Sequence, residues 1–190
     1  GSGSSGIATS DMLFRDPSAW YHLVFVADYT NGTASDRLKV YVNGSQISLT
    51  FSDAVQNADG QWNGNWEHEI GVIGSTNEAF DGYLAEIHHI DGQAYDPSYF
   101  GFTDPQTGIW MPKRYEGTYG NNGFYLDFSD NSSITNMMID KSPNGNDWSP
   151  DNCNTEDSML DTPTNNFATM TPLNGYSGLS EGNLRFNTYN

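Results

Sequence analysis

Residues 20–49 read WYHLVFVADYTNGTASDRLKVYVNGSQISL, and this stretch decides the fold. In 20–27 both alternating sets are apolar or aromatic: Trp20, His22, Val24 and Val26 on one side, Tyr21, Leu23, Phe25 and Ala27 on the other. Such a strand is expected to be buried on both faces, inside a sheet or sandwich. Residues 36–43 alternate cleanly, with Leu38, Val40 and Val42 facing one way and Arg37, Lys39, Tyr41 and Asn43 the other, the pattern of a half-solvated antiparallel strand. Asn43-Gly44 supplies the pair of positive φ angles that a type I′ turn needs, and 46–49 alternate again, closing a hairpin. An apolar strand, a polar loop and a tight hairpin point to an all-β chain.

Outward from there, composition sets the limits. The 190 residues suit one domain with appendages. Hydrophobic residues make up 36% while aromatics reach 14%, and the 20 glycines among many Asn, Asp, Ser and Thr residues signal turns and long loops. No run of about 18 apolar residues is present to cross a membrane as a helix. Asp+Glu number 24 against 7 Lys+Arg, a formal charge of −17, which makes nucleic acid and anionic membranes unfavourable partners. The acidity serves solubility or, in the sharper reading, holds hard cations. The single cysteine, Cys153, excludes an intramolecular disulfide and a CxxC metal site, and favours a microbial or viral source over a secreted animal one.

Along the chain, residues 1–6 are a flexible Gly/Ser segment and 7–14 a weak strand. A turn at Asp16-Pro17 leads into the buried strand. Residues 51–67 form a long loop without periodicity; 68–74 and 80–91 read as strands, the latter with Leu84, Glu86, His88 and Ile90 on one face and Ile87 and His89 on the other. Asp96-Pro97 starts one helical turn, with Asp96 as cap. Residues 103–118 read as a Pro- and Gly-punctuated loop, 122–129 as a strand, 131–190 as irregular, and 179–186 as a strand opening another module. The division expected is 1–103 as a β-sandwich, 104–150 as a loop-rich extension with one strand, and 151–190 as a linker to a second β module.

The wording of several stretches carries a resemblance. FRDPSAWYHLVFVADYTNGTASDRLKVYVNG (14–44), HEIGVIG (68–74) and FDGYLAEIHHIDGQAYDPSYFG (80–101) resemble a laminin-G-like, concanavalin A-like jelly roll of the type found in tail-fibre and other virion proteins of tailed phages. GIWMPKRYEGTYGNNGFYLDFSDNS (108–132), DKSPNGNDWSPDN (140–152) and DSMLDTPTNNF (157–167) match the same group, and LSEGNLRF (179–186) resembles the opening of a SPRY-type β-sandwich. The resemblance spans roughly residues 11–186. It implies an antiparallel β-sandwich, here lacking the N-terminal strands that the family places before Trp20, with a long irregular C-terminal segment. It further implies a non-enzymatic virion part, a tail-fibre-like adhesion domain binding host surface glycan, in a homo-oligomer with other virion subunits. The alternatives are a purely structural subunit-contact domain and a secreted, extracellular microbial carbohydrate-binding module.

Candidate sites follow from residue chemistry. Trp62 and Trp66 lie four apart in the polar loop beside Asp59, Gln61, Asn63 and Asn65. Indole faces stack on the CH faces of sugars while amides and a carboxylate bind hydroxyls; the competing reading is a loop mini-core. Asp127 and Asp130 in DFSDNS and Asp140 and Asn144 in DKSPNGND offer oxygens to Ca2+, as do Asp28 and Asp36 flanking TNGTAS; the competing reading is Asx-turn chemistry. His22, His68, His88 and His89 read as structural, since His88 and His89 point to opposite faces. Glu67 and Glu69, two apart on a predicted strand, and Glu86, flanked by apolar residues and read as a structural hydrogen-bond partner, do not make the carboxylate pair of a glycosidase. GxSxG, Walker and HExxH motifs and the glucanase pattern ExDxxE are absent, so the residues point away from catalysis.

Overall fold

A computed structural model describes residues 8–16, 18–51, 55–58, 64, 67–72, 79–159, 162–163, 179–180 and 185–186. The described elements are mostly strands, with a single-turn α-helix (α1, Ile134–Met137) and short 3-10 turns, so the chain is all-β in character. The strands form small antiparallel sheets and do not close into one layer. The chain divides into two compact units: residues 1–83 with 91–117, and residues 84–90 with 118–190.

The first unit is built on β2 (Leu23–Ala27) and β3 (Leu38–Val42), antiparallel with Phe25 opposite Val40, and β4 (Ser45–Gln46) pairs with β3. The turn between β3 and β4 has φ of +47° at Asn43 and +79° at Gly44, as the Asn-Gly pair requires. Asn43 also fixes the start of β2. Its Oδ1 accepts the His22 N–H at 2.9 Å, and its own N–H donates to the His22 carbonyl at 2.9 Å, so the strand begins at Leu23 and not at Trp20.

Burial on β2 differs from the expectation of two covered faces. Val24 is buried and Val26 half-buried, but Leu23, Phe25 and Ala27 are exposed, Phe25 at 65%. The cross-strand partners of those three are Val42, Val40 and Leu38. One face of the β2–β3 pair is therefore wholly apolar but unevenly covered: its β2 side is exposed, Leu38 and Val40 are half-buried and Val42 is buried at 5% exposure. The apolar pattern was read correctly as hydrophobic on both sides; among the described residues the β2 side of this face has no covering layer.

Two further pairs complete this unit. β1 (Ala8–Thr9) pairs with β5 (Thr50–Phe51), and β7 (Gly101–Thr103) with β8 (Trp110–Pro112). The β7–β8 hairpin replaces the loop expected at 103–118. Its turn is closed by Gly108 N–H to the Asp104 carbonyl at 2.8 Å, and the Asp104 carboxylate accepts from Gln106 N–H and the Thr107 hydroxyl. The Trp110 ring lies directly on Gly44 and Gly101, where a Cβ would collide with it. Before β7, Asp96 caps the 3-10 turn Pro97–Tyr99 through Ser98 N–H at 2.7 Å, as the Asp-Pro signal indicates. Residues 67–72 carry no strand, contrary to the reading of 68–74; Gly71 has φ +86° and its carbonyl accepts Phe80 N–H, so the segment bends. Glu67 and Glu69 accordingly sit exposed on irregular backbone and not on a strand face.

In the second unit β6 (Ile87–His89) pairs with β9 (Phe124–Leu126), and Leu126 is its innermost residue at 1% exposure. Both strands are shorter than their apolar patterns. Glu86 and Phe128 take φ of +53° and +55°, which turns the chain out of the pleat on either side of the ladder end. Outside the ladder the unit is held by Asp140, 6% exposed. Its carboxylate accepts four hydrogen bonds of 2.7–2.8 Å, from Tyr125 N–H, Ser142 N–H, the Ser142 hydroxyl and Asn146 N–H. The side-chain amides of Asn144 and Asn146 donate to the carbonyls of Gly120, Asn121 and Gly123. The segment read as irregular linker thus begins with a closed network. Farther on, β10 (Leu179–Ser180) and β11 (Arg185–Phe186) form a two-stranded pair in the stretch expected to be one strand.

Candidate functional site

The open end of the β6–β9 ladder gathers the groups with most chemical potential. Register places His88 opposite Tyr125, and their rings stack at 4.2 Å between centroids and 7° between planes. The Tyr119 ring, itself buried, lies nearly parallel to both, and its hydroxyl is 2.9 Å from His88 Nδ1. With that hydroxyl donating to Nδ1, the neutral imidazole carries its proton on Nε2, which stands 4.0 Å from Glu86 Oε2. The Tyr125 hydroxyl donates to the same oxygen at 2.5 Å. Burial, and then the hydrogen bond and charge of Glu86, push the Tyr125 phenol far above its usual range, so it stays protonated.

Glu86 is the exposed member of this group, with its side chain 51% accessible. Among the described residues, Oε2 takes the Tyr125 hydroxyl and Oε1 takes no hydrogen bond. The backbone of Glu86 is in the left-handed region, a conformation that costs a non-glycine residue on the order of 1 kcal/mol. Glu86 follows in line from the Ile87–Leu126 pair, as does Asp127 on the other strand. Both oxygens of Asp127 accept from Ser129, by its N–H and its hydroxyl, so Asp127 is committed locally while Glu86 keeps one oxygen open. The arrangement offers a fixed carboxylate acceptor beside an aromatic stack and an imidazole N–H.

Glu86 as a hydrogen-bond acceptor and the opposite facing of His88 and His89 were legible in the sequence; His89 packs instead on Phe124. The convergence on Tyr119 and Tyr125 was not. His88 and Tyr125 are 37 residues apart, and only the strand register joins them. His22, read as structural, packs near Trp110, and burial lowers its pKa.

The oxygen-rich candidates lie where the sequence puts them, and each has local partners. Asp28 accepts from Thr30 N–H and hydroxyl, which lowers its pKa, and Asp36 pairs with Lys39 at 3.3 Å. The loop between them closes on the buried Arg37, whose guanidinium donates to the carbonyls of Asn31 and Gly32. Asp130 accepts from Ser132 N–H and hydroxyl, and its pKa falls for that reason. Burial raises the Asp140 pKa, but its four donors outweigh it and hold the carboxyl below its ordinary value. Asn144 directs its amide nitrogen at two carbonyls. The recurring device is an Asp accepting the N–H two residues on, at Asp16, Asp28, Asp96, Asp104, Asp127, Asp130 and Asp140. That is the Asx-turn reading of these stretches. Among the described residues no three His, Cys, Asp or Glu side chains converge as a metal-binding group.

The sugar-binding candidates Asp59, Gln61, Trp62, Asn63, Asn65 and Trp66 lie outside the described residues. Comparison of the chain with protein-family models, curated proteins and solved structures returned no match.

Proposed function

We propose that this chain is a non-enzymatic binding module of a tail-fibre-like virion appendage, a jelly-roll relative that attaches to host surface glycan. Glu86 carries the reading. A glutamate held in a left-handed backbone conformation, pinned by Tyr125 and left with one open oxygen, is a prepared acceptor for a sugar hydroxyl. Strain of this kind concentrates at working sites. Read from the sequence alone, Trp62 and Trp66 suit the same ligand class. Catalysis is disfavoured because Tyr125 is held as the phenol and because Asp127, next to Glu86 across the ladder among the described residues, already accepts from Ser129 with both oxygens. Titration of the purified protein on a glycan array tests the reading: Glu86→Gln and Trp62→Ala should each weaken binding about tenfold. Full retention of glycan and host-cell binding by both variants sinks it.

A second reading, a subunit-contact domain of the same virion part, is favoured by the exposed Leu23, Phe25 and Ala27 on one face of β2. Sedimentation of wild type and Phe25→Thr separates the two, since a contact role predicts an oligomer that the substitution dissociates.

A further inference from the structure

We propose that two copies of this chain pair antiparallel through the outer edge of β2, with Phe25 on the two-fold axis, so that their sheets join into one. The proposal rests on the subunit-contact reading above and names the partner as a second copy. In the β2–β3 ladder, Asn43 N–H donates to the His22 carbonyl and Asp28 N–H to the Arg37 carbonyl. Alternation then turns Val24 and Val26 toward β3 as well, and points the N–H and C=O groups of Leu23, Phe25 and Ala27 the other way. Among the described residues, no strand lies on that side of β2 and no partner takes those groups. The same three residues carry the exposed side chains of the strand. The edge has none of the devices that usually guard one: residues 23–27 read LVFVA, with no charge, proline or glycine.

What fits this edge is its own copy, because the strand is close to symmetric about Phe25. Residues 21–29 read YHLVFVADY. Two-fold pairing sets Phe25 against its counterpart, Val24 against Val26, Leu23 against Ala27 and Tyr21 against Tyr29. Each outward N–H then meets an outward C=O, a large Leu faces a small Ala, and the exposed apolar side chains of both copies become neighbours on one face. The register also puts His22 across from Asp28 and holds the two Asp28 carboxylates at opposite ends of the pair, whereas a parallel, in-register pairing sets acid against acid. That matters in a chain of formal charge −17.

Sedimentation of the intact chain over a concentration series, at low and high salt, tests the proposal. A monomer–dimer equilibrium is expected, tighter in high salt, which screens the charge that the two copies share. Ala27→Pro removes one outward N–H and leaves the ladder with β3 complete, and should raise the dimer Kd at least about tenfold. Register is read independently by cross-linking in a Cys153→Ser background, since Cys153 is the single cysteine and is exposed. Phe25→Cys should oxidise to a disulfide-linked dimer, its Cα atoms standing about 5.5 Å apart in a hydrogen-bonded pair. Leu23→Cys alone should not, with about 15 Å between copies, but should cross-link when mixed with Ala27→Cys. A dimer that withstands Ala27→Pro and cross-links at none of these positions overturns the β2 pairing and leaves subunit contact by another surface standing. A monomer at every concentration overturns both.

Discussion

The two units each bury a few apolar side chains, Val24, Val42 and Tyr115 in the first and Tyr119, Leu126 and Met137 in the second, but they differ in how many they leave exposed. Among the described residues, the large apolar side chains with high exposure all belong to the first unit, Leu84 excepted: Met12, Leu13, Phe14, Leu23, Phe25, Val55, Phe80, Tyr83, Tyr99, Phe102 and Ile109. The second unit keeps Tyr119, Leu126 and Met137 inside and spends buried polarity on order, through Asp140 and its four donors. A sheet face gains stability only from what covers it, whereas a carboxylate enclosed by N–H groups is satisfied within a few residues. The lesson is that a short, turn-rich segment can hold itself together by local hydrogen bonds while a more regular strand pair leaves apolar side chains of one strand exposed.

The contrast can be broken most forcefully at Asp140. Asp140→Ala leaves the N–H groups of Tyr125, Ser142 and Asn146 without their acceptor and should cost about 3–5 kcal/mol, read as a lowered urea midpoint and as faster amide exchange at those three residues. A loss below about 1 kcal/mol would mean the network is decoration and the second unit is held by packing. Next in size is Gly44→Ala in the first unit. It combines a strained positive φ with collision against Trp110 and should cost about 2–4 kcal/mol by the same measurement; a near-neutral result would show that the ring does not lie on the turn.

A smaller effect comes from His22. Burial holds its pKa below the ordinary 6.5, so between those values the unfolded chain binds more protons than the native one. Stability should therefore rise with pH across that window and fall as pH drops below about 6.5. Melting curves from pH 5 to 8 should show this slope in wild type and a flatter one in His22→Gln; an unchanged slope would place His22 in water. The smallest effect sharpens the comparison from the other side. Phe25→Thr removes a large ring from the exposed side of β2 and should move monomer stability by no more than about 0.5 kcal/mol. A drop of several kcal/mol on melting would show that a covering layer is present in solution.

What could be read beforehand depended on how local the signal was. Asn43-Gly44 announces its own turn, and the register of β2 against β3 follows from the hairpin and the alternating Leu38, Val40 and Val42. The Asp96-Pro97 cap and the Asx turns are equally local, each contained in three residues. Strand lengths were not legible, because they end at single residues such as Glu86 and Phe128 that leave the pleat without a Gly or Pro to mark it. The β7–β8 hairpin escaped for the reverse reason: Pro112 and Gly108 read as loop, while Trp110 gains its place from Gly44, far away in sequence. The Glu86 group needed the pairing of His88 with Tyr125, which no periodicity within either segment contains.

The amide of Asn144 sets a chemical clock. Its nitrogen donates to the carbonyls of Gly120 and Gly123, and Gly145 follows it with φ +70°. Asparagine before glycine is prone to lose its amide by attack of the next backbone nitrogen, and the product carries a carboxylate. Two acceptor carbonyls would then face an acceptor where they had shared a donor. While those two hydrogen bonds stand, the amide is committed to them; each opening of the unit releases it. The folded protein should therefore keep well, whereas time spent warm or partly unfolded leaves a fraction that cannot close again, an ageing irreversible in the sense that cooling does not undo it.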